Sequence, residues 1–212
     1  MKRLFILLLL TTVFTSCVKD TPKVLLYIRG DGLKSYDLEL MLTKEVAVMK
    51  EILEQSGFEV AVATVSGELI VADSTSLKPD LKLDEVNIAD YAGFILPCMA
   101  DSGSVAPEAV TMVRKAAAEG KPVAAQLIPV AKVLAEAGLL IGKKYAFADE
   151  ENVNASTFPV LKSGVYSGTG IVEDGNIITS GVCPFLARMR GRQDGTPELT
   201  QTLIEAIRAS TK

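Results

Sequence analysis

The sequence contains no histidine and no tryptophan, and aromatic residues make up only 6% of it. The missing histidine excludes a large part of side-chain acid–base chemistry. There is no Ser–His or Cys–His pair, no H-E-x-x-H zinc site and no imidazole that titrates near neutral pH. A catalyst made from this chain has carboxylates, thiols, lysines and backbone amides to work with. Lysine and arginine form no large cluster, the formal charge is −4, and aromatics are too few for a stacking platform, so nucleic-acid binding is not expected. Only three cysteines are present in 212 residues. They are Cys17, Cys98 and Cys183.

What is present begins with MKRLFILLLLTTVFTSC. A basic start (Lys2, Arg3), a short apolar run and small residues before Cys17 describe a secretion signal, too short for a membrane-spanning helix. Phe14-Thr15-Ser16-Cys17 resembles a bacterial lipobox, in which the cysteine becomes the lipid-bearing amino terminus; an ordinary cleaved signal with an incidental cysteine is the alternative. The expected organisation is a signal over residues 1–16, a polar tether over 17–22 and one domain over 23–210. The expected location is the cell envelope, with the lipid holding the chain to a membrane outside the cytoplasm.

Within the domain, continuously apolar stretches at Lys23–Ile28, Glu59–Val65, Ala92–Leu96 and Pro122–Ala125 suit strands buried on both faces. Helical spacing runs over 38–56, with Leu38, Leu42, Val46, Met49 and Leu53 near one face, and Gly57 stops it. Pro107 opens a second helix that ends at Gly120. A small hairpin falls within the irregular stretch 70–83, a short helix over 84–91 and a strand over 143–148, while 152–168 is loop-rich. Asp174-Gly175 marks a hairpin between 170–173 and 176–179. The segment 181–195 reads as loop, and Thr196-Pro197-Glu198 opens a last helix ending near Ala209. Strands alternating with helices at this spacing predict an α/β fold, a mostly parallel sheet covered on both faces. Ligands in such folds sit beyond the carboxyl ends of the strands, which directs attention to 29–33, 97–103, 126–129 and 180–184.

Four stretches, ADYAGFILP, EAVTMVRKAAAEGKPVAA, VLAEAGLLIGKKYA and EDGNIITSG, carry a resemblance to the DJ-1/PfpI superfamily, relatives of class I glutamine amidotransferase domains, over about 23–209. The resemblance implies a flavodoxin-like three-layer α/β/α sandwich, often a homodimer. It also implies a cysteine on a strand-to-helix elbow, a glutamate on the first helix beside that thiol, and a glycine-rich turn offering N–H groups to an oxyanion. In KPVAAQLIPVAKVLAEAG, residues 121–138, the elbow is present but Gln126-Leu127-Ile128 occupies it. Leu127 stands where the cysteine belongs, or Ile128 if the elbow is one residue longer. Pro97-Cys98-Met99 replaces the glycine-rich turn. Glu45 matches the glutamate, with Glu39 as fallback. The expectation is a member without the family's cysteine chemistry, binding a small molecule or protein partner at a degenerate site rimmed by Pro97, Met99, Gly181 and Cys183.

Cys98 admits three roles: a relocated nucleophile served by Glu45, giving an amidase-, protease- or glyoxalase-like activity; an inert buried thiol; or a disulfide partner of Cys183. Arg188, Arg190 and Arg192 are either solvent-facing or an anion clamp. Arg29 and Asp31 sit at the same edge without an assigned role. Gly168-Thr169-Gly170 lacks the strand-then-helix context of a dinucleotide fingerprint. No cofactor and no metal are expected.

Overall fold

The structure, a computed structural model, describes residues 21–29, 38–98, 106–150 and 158–210. The signal, Cys17, most of the tether, Asp31 and Met99 lie outside the described residues.

Among the described residues eleven strands follow one another: β1 (Lys23–Tyr27), β2 (Glu59–Thr64), β3 (Ile70–Val71), β4 (Ser76–Leu77), β5 (Leu81–Lys82), β6 (Gly93–Leu96), β7 (Val123–Gln126), β8 (Lys144–Tyr145), β9 (Val165–Tyr166), β10 (Ile171–Asp174) and β11 (Ile177–Ser180). Seven form the central sheet, in the order β10-β11-β7-β6-β1-β2-β5. All neighbours are parallel except β10, which pairs antiparallel with β11 across Asp174-Gly175. Gly175 supplies the left-handed turn residue at φ 67°. β1, β6, β7 and β11 are buried along nearly their whole lengths. That is why they read as unbroken apolar runs and not as alternating ones.

The first helix is composite: α1 (Leu38–Met41), a π-helical turn at Leu42–Val46, then α2 (Ala47–Gln55). α3 spans Pro107–Ala118, α4 Pro184–Arg190 and α5 Thr196–Ser210. α2 and α5 pack together in one layer, while α3 packs with a second π-helical turn, Val130–Ala135, in the other. The amino ends of the strands are tied by side-chain bonds to carbonyl groups. The Asn176 amide donates to the carbonyls of Ala117 and Lys121, and Lys121 Nζ donates to those of Ile88 and Tyr91.

Three local expectations are corrected. The stretch expected as loop over 181–195 contains α4: Cys183 caps it with extended backbone, Pro184 takes the first helical position, and Gly191 closes it at φ 60°. The single short helix expected over 84–91 is two 3₁₀ turns, Leu83–Glu85 and Ile88–Asp90, separated by extended residues. Asn87 side-chain oxygen accepts the Ala89 N–H and starts the second turn afresh. The strand expected over 143–148 contracts to β8, which pairs with β9 in a small separate sheet. Its end is drawn away from the ladder because the Ala146 N–H donates to Thr179 Oγ1.

Candidate functional site

β1, β6, β7 and β11 all end at one edge of the sheet, and the order reverses between β1 and β6, where doubly wound folds carry their crevice. The residue that shapes this edge is Leu127. It follows β7 directly and adopts φ 58°, the only positive φ of a non-glycine among the described residues. A left-handed conformation costs an L-residue roughly 1–2 kcal/mol. The bend is held by the Leu127 N–H donating to the Ser180 carbonyl at 2.8 Å, and by the Val130 N–H donating to the Leu127 carbonyl at 3.0 Å. The elbow residue is therefore Leu127, not Ile128, and its side chain is buried.

This conformation makes a prediction whose sign is opposite to ordinary expectation. Leu127→Ala loses the apolar burial and keeps the strained backbone; Leu127→Gly loses the same burial and relieves the strain. Glycine should therefore be the more stable of the two by about 1 kcal/mol. Urea unfolding of the two variants measures the difference, and alanine proving the more stable would show that the bend carries no strain.

Glu45 lies in the π-helical turn Leu42–Val46, where the extra residue per turn sets Thr43 and Lys44 outward and Glu45 inward, fully buried. Glu45 Oε1 accepts the main-chain N–H of Cys98 at 2.7 Å. Its Oε2 is buried without a hydrogen-bond partner among the described residues. Burial, and then the negative sulfur of Cys183, push this carboxyl well above the ordinary glutamate range; the Cys98 N–H opposes them. Burial therefore favours the protonated form of Glu45 more than in an exposed glutamate. Glu39, the fallback, is half-buried and faces elsewhere, accepting from the Ser74 N–H at 2.7 Å and from its hydroxyl.

Cys98 follows β6 and Pro97, half-buried; Cys183 follows β11 and is buried. Both are free thiols, and each shifts the titration of the other. The Ile128 N–H draws the Cys98 thiol down, and the N–H groups of Leu186 and Phe185 do the same to Cys183. The Cys98 thiol is pushed up, first by Cys183 and then by burial. Cys183 is drawn down, first by Cys98.

Gln126 was expected only as part of the elbow. The structure makes it a tie: its Nε2 donates to the Val182 carbonyl at 2.6 Å and its Oε1 accepts from Thr196 Oγ1 at 3.1 Å. The one Thr196 hydroxyl proton lies between that oxygen and Asp194 Oδ1, 2.8 Å away, and the Asp194 carboxyl is raised by burial, opposed by hydrogen bonds from Thr196. Thr196 was expected only as the opening of the last helix, and Asp194 was not expected at the site, although Asp194-Gly195-Thr196 before a helix is a capping signal. Gly181 is pressed against the backbone of Phe147. Arg190 and Arg192 both pair with Asp149, and Arg192 also donates to the Ala148 carbonyl at 2.9 Å, while Arg188 lies over the Phe185 ring. Arg190 and Arg192 anchor α4 to the segment before it. Among the described residues no group of three acidic, thiol or imidazole side chains is arranged to hold a metal ion.

The site therefore gathers Glu45, Cys98, Cys183 and Asp194, all acids, around an elbow that presents an alkyl group. A profile of the DJ-1/PfpI family matches residues 23–188. The chain is 31% identical over 141 residues to deglycase PH1704 of Pyrococcus horikoshii, covering 61% of this chain and 77% of that one. It is 32% identical over 139 residues to deglycase PfpI of Pyrococcus furiosus, covering 60% and 76%. Among solved structures, a ThiJ/PfpI domain protein from Brachyspira murdochii superposes with a TM-score of 0.65 at 15% identity, over 88% of this chain and 96% of that one. Drosophila melanogaster DJ-1beta superposes with a TM-score of 0.58 at 21% identity, over 89% and 95%.

Proposed function

The chain belongs to the DJ-1/PfpI family, and on that premise we propose that it is a member without the elbow-cysteine reaction, whose edge site binds a small molecule or a protein partner. The observation that carries this reading is Leu127 at the elbow, in the backbone conformation that would hold a nucleophile. A leucine has no lone pair to offer a carbonyl carbon. No imidazole exists in the chain to take a proton, and burial favours the protonated form of Glu45. A buried carboxyl with its pKa raised, and one oxygen unpartnered among the described residues, suits hydrogen bonding to a ligand acceptor better than proton abstraction.

A second reading rests on Cys98, a half-buried thiol whose main chain is held by Glu45. It would make Cys98 the displaced nucleophile of a hydrolase or lyase. Against it, Glu45 contacts the Cys98 amide while the thiol itself is raised, so little thiolate stands ready for attack at neutral pH.

Two of the relatives are named deglycases. Purified protein incubated with methylglyoxal-modified amino acids should release free amino acid no faster than buffer. Turnover that disappears in Cys98→Ala would establish the second reading, and turnover that survives it would overturn both.

A further inference from the structure

We propose that residues 139–145 and 160–166 form a face that lies against a lipid surface carrying anionic headgroups. This does not depend on the ligand-binding reading, because the face stands at the opposite end of the sheet from the edge site. It rests on two exposed apolar side chains set among lysines, at the edge of the sheet where the chain enters.

Five large hydrophobic side chains are more than half exposed among the described residues: Leu69, Val71, Ile141, Val165 and Met189. Ile141 and Val165, 68% and 53% exposed, fall on adjoining backbone. The Gly142 N–H donates to the Ser163 carbonyl at 2.9 Å, and the Val165 N–H to the Lys143 carbonyl at 2.8 Å. Every charged side chain in 139–145 and 160–166 is a lysine: Lys143, Lys144 and Lys162. Lys144 is the register partner of Val165 across β8 and β9, and both Lys144 and Lys162 are exposed. Lys143 is taken up by Asp174 at 3.3 Å. Apolar groups flanked by ammonium groups match the boundary between acyl chains and anionic headgroups. Charge sets this face apart from the hairpin spot. Leu69 and Val71 lie in 66–75, whose charged residues are Glu68 and Asp73. Met189 lies on α4, beyond the carboxyl end of β11.

Position supports the same occupant. The Lys144 N–H donates to Asp174 Oδ2 at 2.9 Å and Lys143 Nζ to the Asp174 carbonyl at 3.0 Å, which pins β8 to the Asp174-Gly175 turn. That turn precedes β11, so it stands at the amino edge of the parallel strands. β1 also starts at that edge, just after Thr21. Cys17, where lipid is expected, precedes Thr21 by four residues of sequence, at most about 14 Å of extended chain. Four strand spacings, about 19 Å, separate β1 from β10 along the edge. One lipid plane can therefore meet both the anchor and the face. Anchoring makes the contact intramolecular, so a small face suffices to orient the domain.

The chain has no tryptophan, so one introduced indole reports its own surroundings. The test uses the full chain as Val165→Trp, with Leu69→Trp as the control, and vesicles of phosphatidylglycerol and phosphatidylcholine. Val165→Trp emission should move to shorter wavelength and be quenched by brominated acyl chains, and Leu69→Trp should show neither. Adding Lys144→Glu and Lys162→Glu to Val165→Trp should raise the lipid needed for half the shift by at least about tenfold. Unchanged circular dichroism of each variant excludes misfolding. Three outcomes overturn the proposal: no shift at Val165→Trp, whether or not the protein floats with the vesicles; equal shifts at Val165→Trp and Leu69→Trp; or charge reversal without effect. A Val165→Trp shift that needs only more protein and no lipid also overturns it, since it would mark a contact between copies.

Discussion

Replacing Glu45 with glutamine should make the protein more stable at neutral pH, and the gain should vanish in acid. The carboxyl is fully buried, and desolvation together with the Cys183 sulfur holds its proton far more tightly than an unfolded chain would. The sign follows from linkage. Above the unfolded glutamate value of about 4.3, the unfolded chain has released this proton and the folded protein has not. Stability is therefore fully present below that value and declines as pH climbs toward the raised folded value. The decline has a slope of about 1.4 kcal/mol per pH unit while only the folded state is protonated.

Glutamine has no proton to lose. It keeps an oxygen for the Cys98 N–H and puts an amide where the acid O–H stood. The difference between Glu45→Gln and wild type should be small near pH 4 and widen by about 1–3 kcal/mol toward pH 7. Guanidinium unfolding of both proteins across that range decides it, and parallel profiles would mean that Glu45 is not held neutral. Glu45→Leu is the contrasting variant. It strands the half-buried Cys98 N–H, which costs about 1–3 kcal/mol at every pH.

Gly181→Ala should be the most damaging single-methyl change at the site. A Cβ there would lie 2.5 Å from the Phe147 carbonyl carbon and 3.0 Å from its Cα, and closer still to its oxygen. These are backbone atoms that no rotamer change can move. On the other side, the Gly181 N–H is fixed to the Thr169 carbonyl at 3.1 Å. The strain should cost about 3 kcal/mol or more. In a domain of this size that lowers the melting midpoint by about 6–12 °C. Gly170→Ala is the control, because nothing lies within 4 Å of its added methyl. Equal melting midpoints for the two variants would show that the contact at Phe147 yields freely.

Much of the fold was legible because its strands are buried on both faces. β1, β6, β7 and β11 announce themselves as apolar runs, and Pro107, Gly120 and Asp174-Gly175 punctuate the elements between them. The elements that escaped are short ones ruled by local bonds. α4 hides because PFLARMR alternates arginine with apolar residues at a spacing of two, which disguises a helix that Pro184 and Gly191 bracket. The π-helical turn at Leu42–Val46 has no sequence signature, yet it is what sets Glu45 inward. At the site, the elbow and the nearness of Cys98 to Cys183 follow from topology, since each residue ends a neighbouring part of one sheet edge. The Gln126 tie does not, because its partners, Val182 and Thr196, lie far along the chain.

The place of β1 has a mechanical corollary. The described chain starts at Thr21 and runs almost at once into the strand between β2 and β6, deep in the sheet and not on its rim. Tension drawn through the amino end would therefore act along β1 and load its ladders to both flanking strands simultaneously. Such a shearing arrangement resists extraction far better than a border strand, which unzips one bond after another.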